Sequence, residues 1–488
     1  MQTPRLTRIL VGIIVFLSLL WGCSDSSDFS ERSATALNAV TVTGPITAGG
    51  EPATSSPLDL TAAGYIEEEF FYEGDAWSYR FLQEPAGDGR WDVAQNDTAA
   101  FKTRLLVRRP VSAEAFSGVV FVEWLNVTGA FDLDGDWLQA APLLLREGHA
   151  WVGVSVQSTG VNGGQSVLEE IGSGEGLVGS NPERYGTLFH PGDEYAFDMF
   201  SQAADALTAG AGPAPLGSLQ PSELIAFGPS QSAAFLTTYV NAVHSQAQRY
   251  DGIILHSRPG LAAPLDGDVA EDSLAVIQVR TDLTEPVFII QAENDLTALN
   301  YLPARQPDSD TVKLWEIAGV AHADTWVLAE ITGAPVTPQE GAAILGCDRP
   351  INDGSHREIF RAGVDHMVRW VREGEPPPAA PGLEIASSSP PEVARDDSGI
   401  ALGGLRHPDV EVPVAALSGE AGNEGITCFL FGSTRPFEVF ELAARYASTA
   451  DYHAQYRAAA EVAVEAGYLL PEEAEALVTR AEARDLGF

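Results

Sequence analysis

Apolar residues occur along this chain in short unbroken blocks, separated by stretches in which they recur at helical spacing. "GVVFVEWLNV" (118–127) is nearly continuous, as expected of a strand buried on both faces. "DWLQAAPLLLREG" (136–148) then has helical periodicity, with Gly148 as its stop. "AWVGVSVQ" (150–157) is the next strand, and "DEYAFDMFSQAADALTAG" (193–210) an amphipathic helix. Strand "SELIAFGPS" (222–230) leads into helix "QSAAFLTTYVNAVHS" (231–245). "YDGIILHSR" (250–258), "PVFIIQAEND" (286–295) and "VKLWEIAGVAH" (312–322) are further strands, and "REIFRAGVDHMVRWVREG" (357–374) is a helix. This alternation predicts an α/β fold, a mostly parallel central sheet with helices on both faces. Two runs rich in aromatic and β-branched residues, within 64–81 and 99–110, add strands ahead of it.

Three segments depart from the alternation. The glycine-rich stretch that begins "STGVNGGQSVLEEIGSGEGLVGSN" reads as a mobile flap over about 158–192, a possible pocket wall. "EGEPPPAAPGLEIASSSPPE" opens a Pro/Ser-rich linker, 373–399. Residues 400–488 form a C-terminal extension, helical and rich in Ala and Glu beyond about 435. It is expected to pack on a core of residues 41–372.

The N-terminus lies outside the fold. Arg5 and Arg8 precede "ILVGIIVFLSLL", an apolar run too short for a comfortable membrane span. Residues 1–22 therefore read as a signal peptide. Leu20-Trp21-Gly22-Cys23 is similar to a bacterial lipobox, so Cys23 is expected to carry lipid, followed by a polar tether over 23–40. Membrane contact would then be through the lipid alone, in the bacterial cell envelope, facing the periplasm or at the cell surface. With Cys23 lipidated, Cys347 and Cys428 remain, an even number in an oxidising compartment, and a disulfide between them is expected. The formal net charge is -40, from 28 Lys and Arg against 68 Asp and Glu. Nucleic acid is excluded as a partner, because phosphate binding needs clustered cations.

Candidate chemistry centres on "FGPSQS" (227–232). Small-x-Ser-x-small at a strand-to-helix turn is the pattern of a nucleophile elbow: the serine occupies a sharp turn and its neighbours two residues away approach closely. Gly228 and Ser232 satisfy this, with Ser232 where a second glycine is usual. The competing reading of Ser230 is a helix cap. The acid and the base should follow later strands. Asp295, with Glu293 as the alternative acid, ends one, and His322 follows another. In such a site the Ser230 hydroxyl attacks a carbonyl, His322 takes its proton and the acid fixes the His tautomer. The backbone of Gln231 is a candidate oxyanion donor, with the backbone from Leu125 through Asn126 to Val127, in the loop after "VVFVEW", as the second source. The Asn126 side chain is a candidate to orient that loop or contact substrate.

No metal-ligand spacing accompanies the cysteines. "DLDGD" (132–136) looks like the start of a calcium loop, but Leu143 stands where the bidentate glutamate would be needed. No metal or cofactor is expected.

"TRLLVRRP", "GVVFVEWLNVT", "AWVGVSVQSTGV", "HPGDEYAFDMFSQA", "FGPSQSAAFLTTYVNAV", "GVAHAD", "CDRPIND", "GGLRHPDVEVPVA" and "CFLFGSTRPF" occur in that order. Together they resemble a bacterial family of alpha/beta-hydrolase-domain proteins, from about residue 60 to 440. In relatives the elbow often has Glu where this chain has Pro229. The resemblance implies the α/β-hydrolase fold with C-terminal helical additions, and Ser230, Asp295 or Glu293, and His322 as a triad. It implies no substrate. The expected activity is serine hydrolysis of small carboxylic esters. The alternatives are a peptidase or amidase of the same fold, and a surface-binding lipoprotein without catalysis.

Overall fold

The computed structural model describes residues 40–166, 172–265, 276–421 and 425–488. The signal peptide, Cys23 and the tether up to residue 39 lie outside the described residues. A nine-stranded sheet forms the centre. Its strands in chain order are β1 (Thr41–Thr43), β2 (Tyr65–Phe81), β3 (Val93–Pro110), β4 (Val119–Trp124), β5 (Ala150–Val154), β6 (Glu223–Pro229), β7 (Gly252–His256), β8 (Val287–Gln291) and β9 (Val312–Glu316). In space they run β1-β2-β3-β5-β4-β6-β7-β8-β9. The six from β5 to β9 are parallel. The three at the other edge are antiparallel. The α/β fold expected from the alternation, a mostly parallel central sheet with helices on both faces, is thus present, as is the arrangement that the family resemblance implied.

The unbroken apolar runs became β4, β5, β7 and β8, in which every residue is buried. Side chains alternate between two layers. Val120, Val122 and Trp124 face helices α2 (Ala196–Thr208) and α3 (Gln231–Thr238), whereas Phe121 faces α1 (Gly135–Arg146) and α6 (His356–Glu373). Between α3 and α6 lie α4 (Thr325–Thr332) and α5 (Pro338–Leu345). Trp124 packs among Phe197, Phe200 and Phe235, with ring centroids 5.9, 4.9 and 5.3 Å away. Such pairs contribute roughly 0.5–1.5 kcal/mol each beyond burial. They fix α2 and α3 against β4, and so fix the turn between β6 and α3.

Two segments differ from the sequence reading. The stretch 158–192, expected as a flap, is docked wherever it is described after residue 172. Tyr185, Leu177, Leu188 and Val161 form an apolar cluster with Phe71. The buried Arg184 donates to the carbonyls of Ile46 and Ala48, at 3.0 and 2.8 Å, and to Glu69. Several of its glycines serve close packing: Gly176 has φ +60, and a Cβ there would lie 2.2 Å from Gly163 N. Residues 167–171 of this stretch lie outside the described residues.

The expected linker, 373–399, is seated on the core. Trp315 Nε1 donates to Pro378 O at 2.8 Å, and Leu383 N donates to Glu316 Oε2 at 2.8 Å. Residues 385–388 and 391–393 pair as a short hairpin. The segment and Leu405, whose N–H reaches Glu316 O, cover the edge strand β9 and hide its open backbone groups. The described residues form one compact unit, so this segment separates no domains.

The extension continues as α7 (Ile426–Phe431), α8 (Val439–Arg445), α9 (Thr449–Glu465) and α10 (Pro471–Glu482). Tyr452, Tyr456, Leu477 and Val478 join the apolar layer of α1 and α6. Cys347 and Cys428 are joined as a disulfide across 81 residues. Replacing both by Ser is expected to lower stability by about 2–4 kcal/mol, because the unfolded chain gains loop entropy. Urea unfolding measures it.

Asp409 anchors the same region. It accepts from Tyr456 OH at 2.6 Å, Arg480 Nη2 at 3.1 Å and Ser355 Oγ. Burial opposes its charge, but Arg480, His407 and these hydrogen bonds outweigh it and hold the carboxyl well below the usual range. A depressed folded-state pKa stabilises above the unfolded value, about 4, and that contribution fades as pH falls below it. Asp409→Asn is therefore expected to cost about 3–5 kcal/mol at pH 7 by leaving Arg480 unpaired. The gap from wild type should narrow in urea melts taken at progressively lower pH below about 4.

Candidate active site

β6 ends at Pro229, and Ser230 turns the chain with φ 60 and ψ -119 before α3 begins at Gln231. A non-glycine residue there costs about 1–3 kcal/mol. The surroundings impose it. Ser230 N donates to His256 O at 2.9 Å, and Ser230 O accepts from Ala234 N at 3.2 Å. The Ser230 side chain makes no capping hydrogen bond to α3. A Cβ on Gly228 would lie 2.9 Å from Ser232 Cβ and 3.2 Å from Trp124 O. Ser232 thus fits in place of a glycine because Gly228 has no side chain. Pro229 fits because α1 opens with Gly135, where a Cβ would meet the proline ring at 2.9 Å.

Asp295 and His322 follow β8 and β9, at the same sheet end as Ser230, with β7 between. His322 Nδ1 donates to Asp295 Oδ1 at 2.7 Å, and Ala292 N donates to Asp295 Oδ2 at 2.6 Å. With the proton on Nδ1, Nε2 is the acceptor nitrogen. Asn294, between the two acids, accepts from His322 N at 2.7 Å and donates to Leu430 O at 3.1 Å. Asp324 caps α4 just after, accepting from Val327 N at 3.0 Å. Glu293 points elsewhere. It accepts from Gly319 N and Gly419 N, each at 2.9 Å, and pairs with Arg395. The structure therefore gives His322 to Asp295 and Glu293 to the C-terminal extension.

The oxyanion candidates separate. Gln231 N is the first amide of α3, where no intrahelical acceptor exists. Val127 N approaches Gln231 Oε1 at 3.3 Å. Asn126 N is taken by Leu133 O at 3.0 Å, because the loop closes on itself as a bridge. This corrects the expectation that the Asn126 backbone supplies an oxyanion donor. Its side chain instead donates to Pro229 O at 3.1 Å and accepts from Thr128 N at 2.8 Å. Asn126 ties the loop to the serine turn.

The three carboxylates of "DLDGD" diverge. Asp132 pairs with Arg104 at 2.8 Å, Asp134 with Arg108 and Asp136 with His256. Arg108 also lies over the rings of Trp137 and Trp151. Among the described residues no group of three His, Cys, Asp or Glu is placed to hold a metal ion. Sequence reading missed Asn294, Asp136, His256 and His356. Its available signal was a polar residue at the C-terminal end of an apolar strand: Glu123 in "VVFVEW" and His256 in "GIILH".

A family model described as "Alpha/beta hydrolase domain" matches residues 42–479. No curated protein sequence matches the chain. Solved structures similar to it include a carboxylesterase from Lactobacillus plantarum, 14% identical over 47% of this chain and 78% of that one, with TM-score 0.28. An esterase from Rhizomucor miehei is 12% identical over 56% and 80%, with TM-score 0.30. A glucuronoyl esterase from Solibacter usitatus is 10% identical over 56% and 84%, with TM-score 0.27.

Proposed function

The chain belongs to the alpha/beta hydrolase domain family, and from that premise we propose that it is an exported serine hydrolase of small-molecule carboxylic esters. One observation supports this most: a His322–Asp295 pair at 2.7 Å on the sheet end where Ser230 is held at φ 60. Ser230 Oγ attacks the ester carbonyl as His322 Nε2 takes its proton. Asp295 keeps the Nδ1 proton in place and stabilises the imidazolium. The oxyanion is met by Gln231 N, with Val127 N joining if the Gln231 side chain turns aside. The imidazolium protonates the leaving alcohol, and an acyl group stays on Ser230. Water, deprotonated by His322, then releases the acid and restores Ser230.

Export and a lipid on Cys23 are part of the same proposal. They rest on the apolar N-terminal run, the residues around Cys23 and the Cys347–Cys428 disulfide, which suits an oxidising compartment. The test is a fluorophosphonate probe with the labelled residue located by peptide mass spectrometry. Label on Ser230, lost in His322→Ala, supports the proposal. Label elsewhere, or none, favours a binding protein. Nitrophenyl esters turned over faster than matching anilides would support esterase over amidase chemistry.

A further inference from the structure

A string of buried polar side chains runs between the serine turn and the His322 loop, and the reaction above does not use it. Glu123 is the penultimate residue of β4, Asp136 lies in the first turn of α1, His256 ends β7 and His356 opens α6. All four are buried. Asp136 Oδ1 lies 2.6 Å from His256 Nδ1, His256 Nε2 lies 3.0 Å from His356 Nε2, and His356 Nδ1 lies 3.0 Å from Ala321 O.

The protons can be placed from one end. A carbonyl only accepts, so His356 carries its proton on Nδ1. As a neutral ring, its Nε2 then accepts, and His256 Nε2 must donate. His256 Nδ1 is left as an acceptor, so Asp136 must be the donor, as a neutral carboxylic acid. The carboxyl groups agree. Glu123 accepts three N–H groups, from Asp136 N, Trp137 N and Trp151 Nε1, at 2.9, 3.0 and 2.8 Å. Asp136 Oδ2 has no partner. Glu123 is therefore the ionised member and Asp136 the protonated one. Burial pushes both Glu123 and Asp136 well above the ordinary carboxyl range, so the three N–H donors are what assign the charge to Glu123, and burial pushes His256 and His356 down to about 3.

We infer that Asp136, His256 and His356 form a neutral hydrogen-bonded string that sets His322 in place relative to Ser230. This rests on the reading of Ser230 and His322 as nucleophile and base. One end holds Ala321, the residue before His322. In its middle, the His256 carbonyl receives Ser230 N–H, and the His256 ring stacks on Phe360 at 4.0 Å. Neutrality matters because an imidazolium here would repel the one that forms on His322. Glu123, Asp295 and His322 are the charged or titratable groups that the string faces. These are positioning residues, not catalytic ones.

Two variants separate positioning from packing. His356→Asn keeps a donor near the Nδ1 position, and His356→Gln keeps only a group near Nε2. His356→Gln is expected to lower kcat about tenfold or more with KM unchanged, and His356→Asn to stay within about threefold, as for a small misplacement of a reacting group. The downfield proton resonance of His322 Nδ1 reports the same contrast without substrate, shifted in Gln and kept in Asn. Equal losses in both variants, with lowered melting temperatures, would assign His356 to packing alone. Ring-nitrogen NMR of the wild type decides the proton placement whether or not the protein turns over esters. Neutral His256 with Nε2–H and neutral His356 with Nδ1–H are expected. An imidazolium or the opposite tautomers would overturn the string.

Discussion

Ser230→Ala is expected to lower kcat/KM on any ester substrate by about 10⁴-fold or more, and to leave the unfolding midpoint where it was. The loss is large because no other group can form the acyl intermediate, and only oxyanion stabilisation and binding remain. The unchanged stability follows from the structure. Ser230 Oγ makes no capping bond, and alanine keeps the Cβ, so the strain at φ 60 persists. Ser230→Gly extends the test. It should be as inactive as alanine but more stable by about 1 kcal/mol, because glycine takes positive φ without penalty. A helix cap behaves oppositely: its loss costs about 1 kcal/mol and leaves activity intact. Kinetics with one ester and urea melts of three proteins separate the readings. Activity retained in Ser230→Ala would remove Ser230 from the chemistry.

Legibility in the sequence followed burial. β4, β7 and β8 were readable because a strand covered on both faces must be almost wholly apolar. The turn at Ser230 was readable because Gly228 and Ser232 approach each other too closely for larger pairs. Contacts between distant segments were not. Residues 373–399 have a linker's composition, yet Pro378 and Leu383 meet Trp315 and Glu316 because β9 is an edge strand that needs covering. Glycines in 158–192 resembled freedom but supply close backbone approach. A histidine at the end of an apolar strand gives no hint of its partner. His256 and Asp136 are 120 residues apart, and His256 and His356 are 100.

Asp295 and Glu293 show the same limit, and they carry the second large prediction. Both follow β8 within five residues, and either could meet a histidine from the next strand. The choice is made by residues from the far end of the chain. Arg395 and Gly419 N hold one Glu293 oxygen and Gly319 N the other, so Glu293 is turned toward those segments and the contact with His322 falls to Asp295. Asp295→Asn should therefore lower kcat by about 10³–10⁴-fold with the fold intact. The direction follows from Ala292. Its N–H donates to Asp295 Oδ2, so in the variant the amide oxygen turns there and the NH₂ faces His322 Nδ1. That ring nitrogen must then accept, and the proton moves to Nε2, the nitrogen that should receive the one from Ser230. Glu293→Gln should do the reverse. It removes the buried one of Arg395's two carboxylate partners and leaves only Glu420, which is half exposed, at a cost of about 1.5–3 kcal/mol, while kcat/KM of the folded fraction stays within about threefold, since Glu293 touches no reacting group. Single-ester kinetics and melting temperatures of the two variants make the comparison. If Glu293→Gln lost activity and Asp295→Asn kept it, the acid would be Glu293 and the His322–Asp295 contact a structural pair.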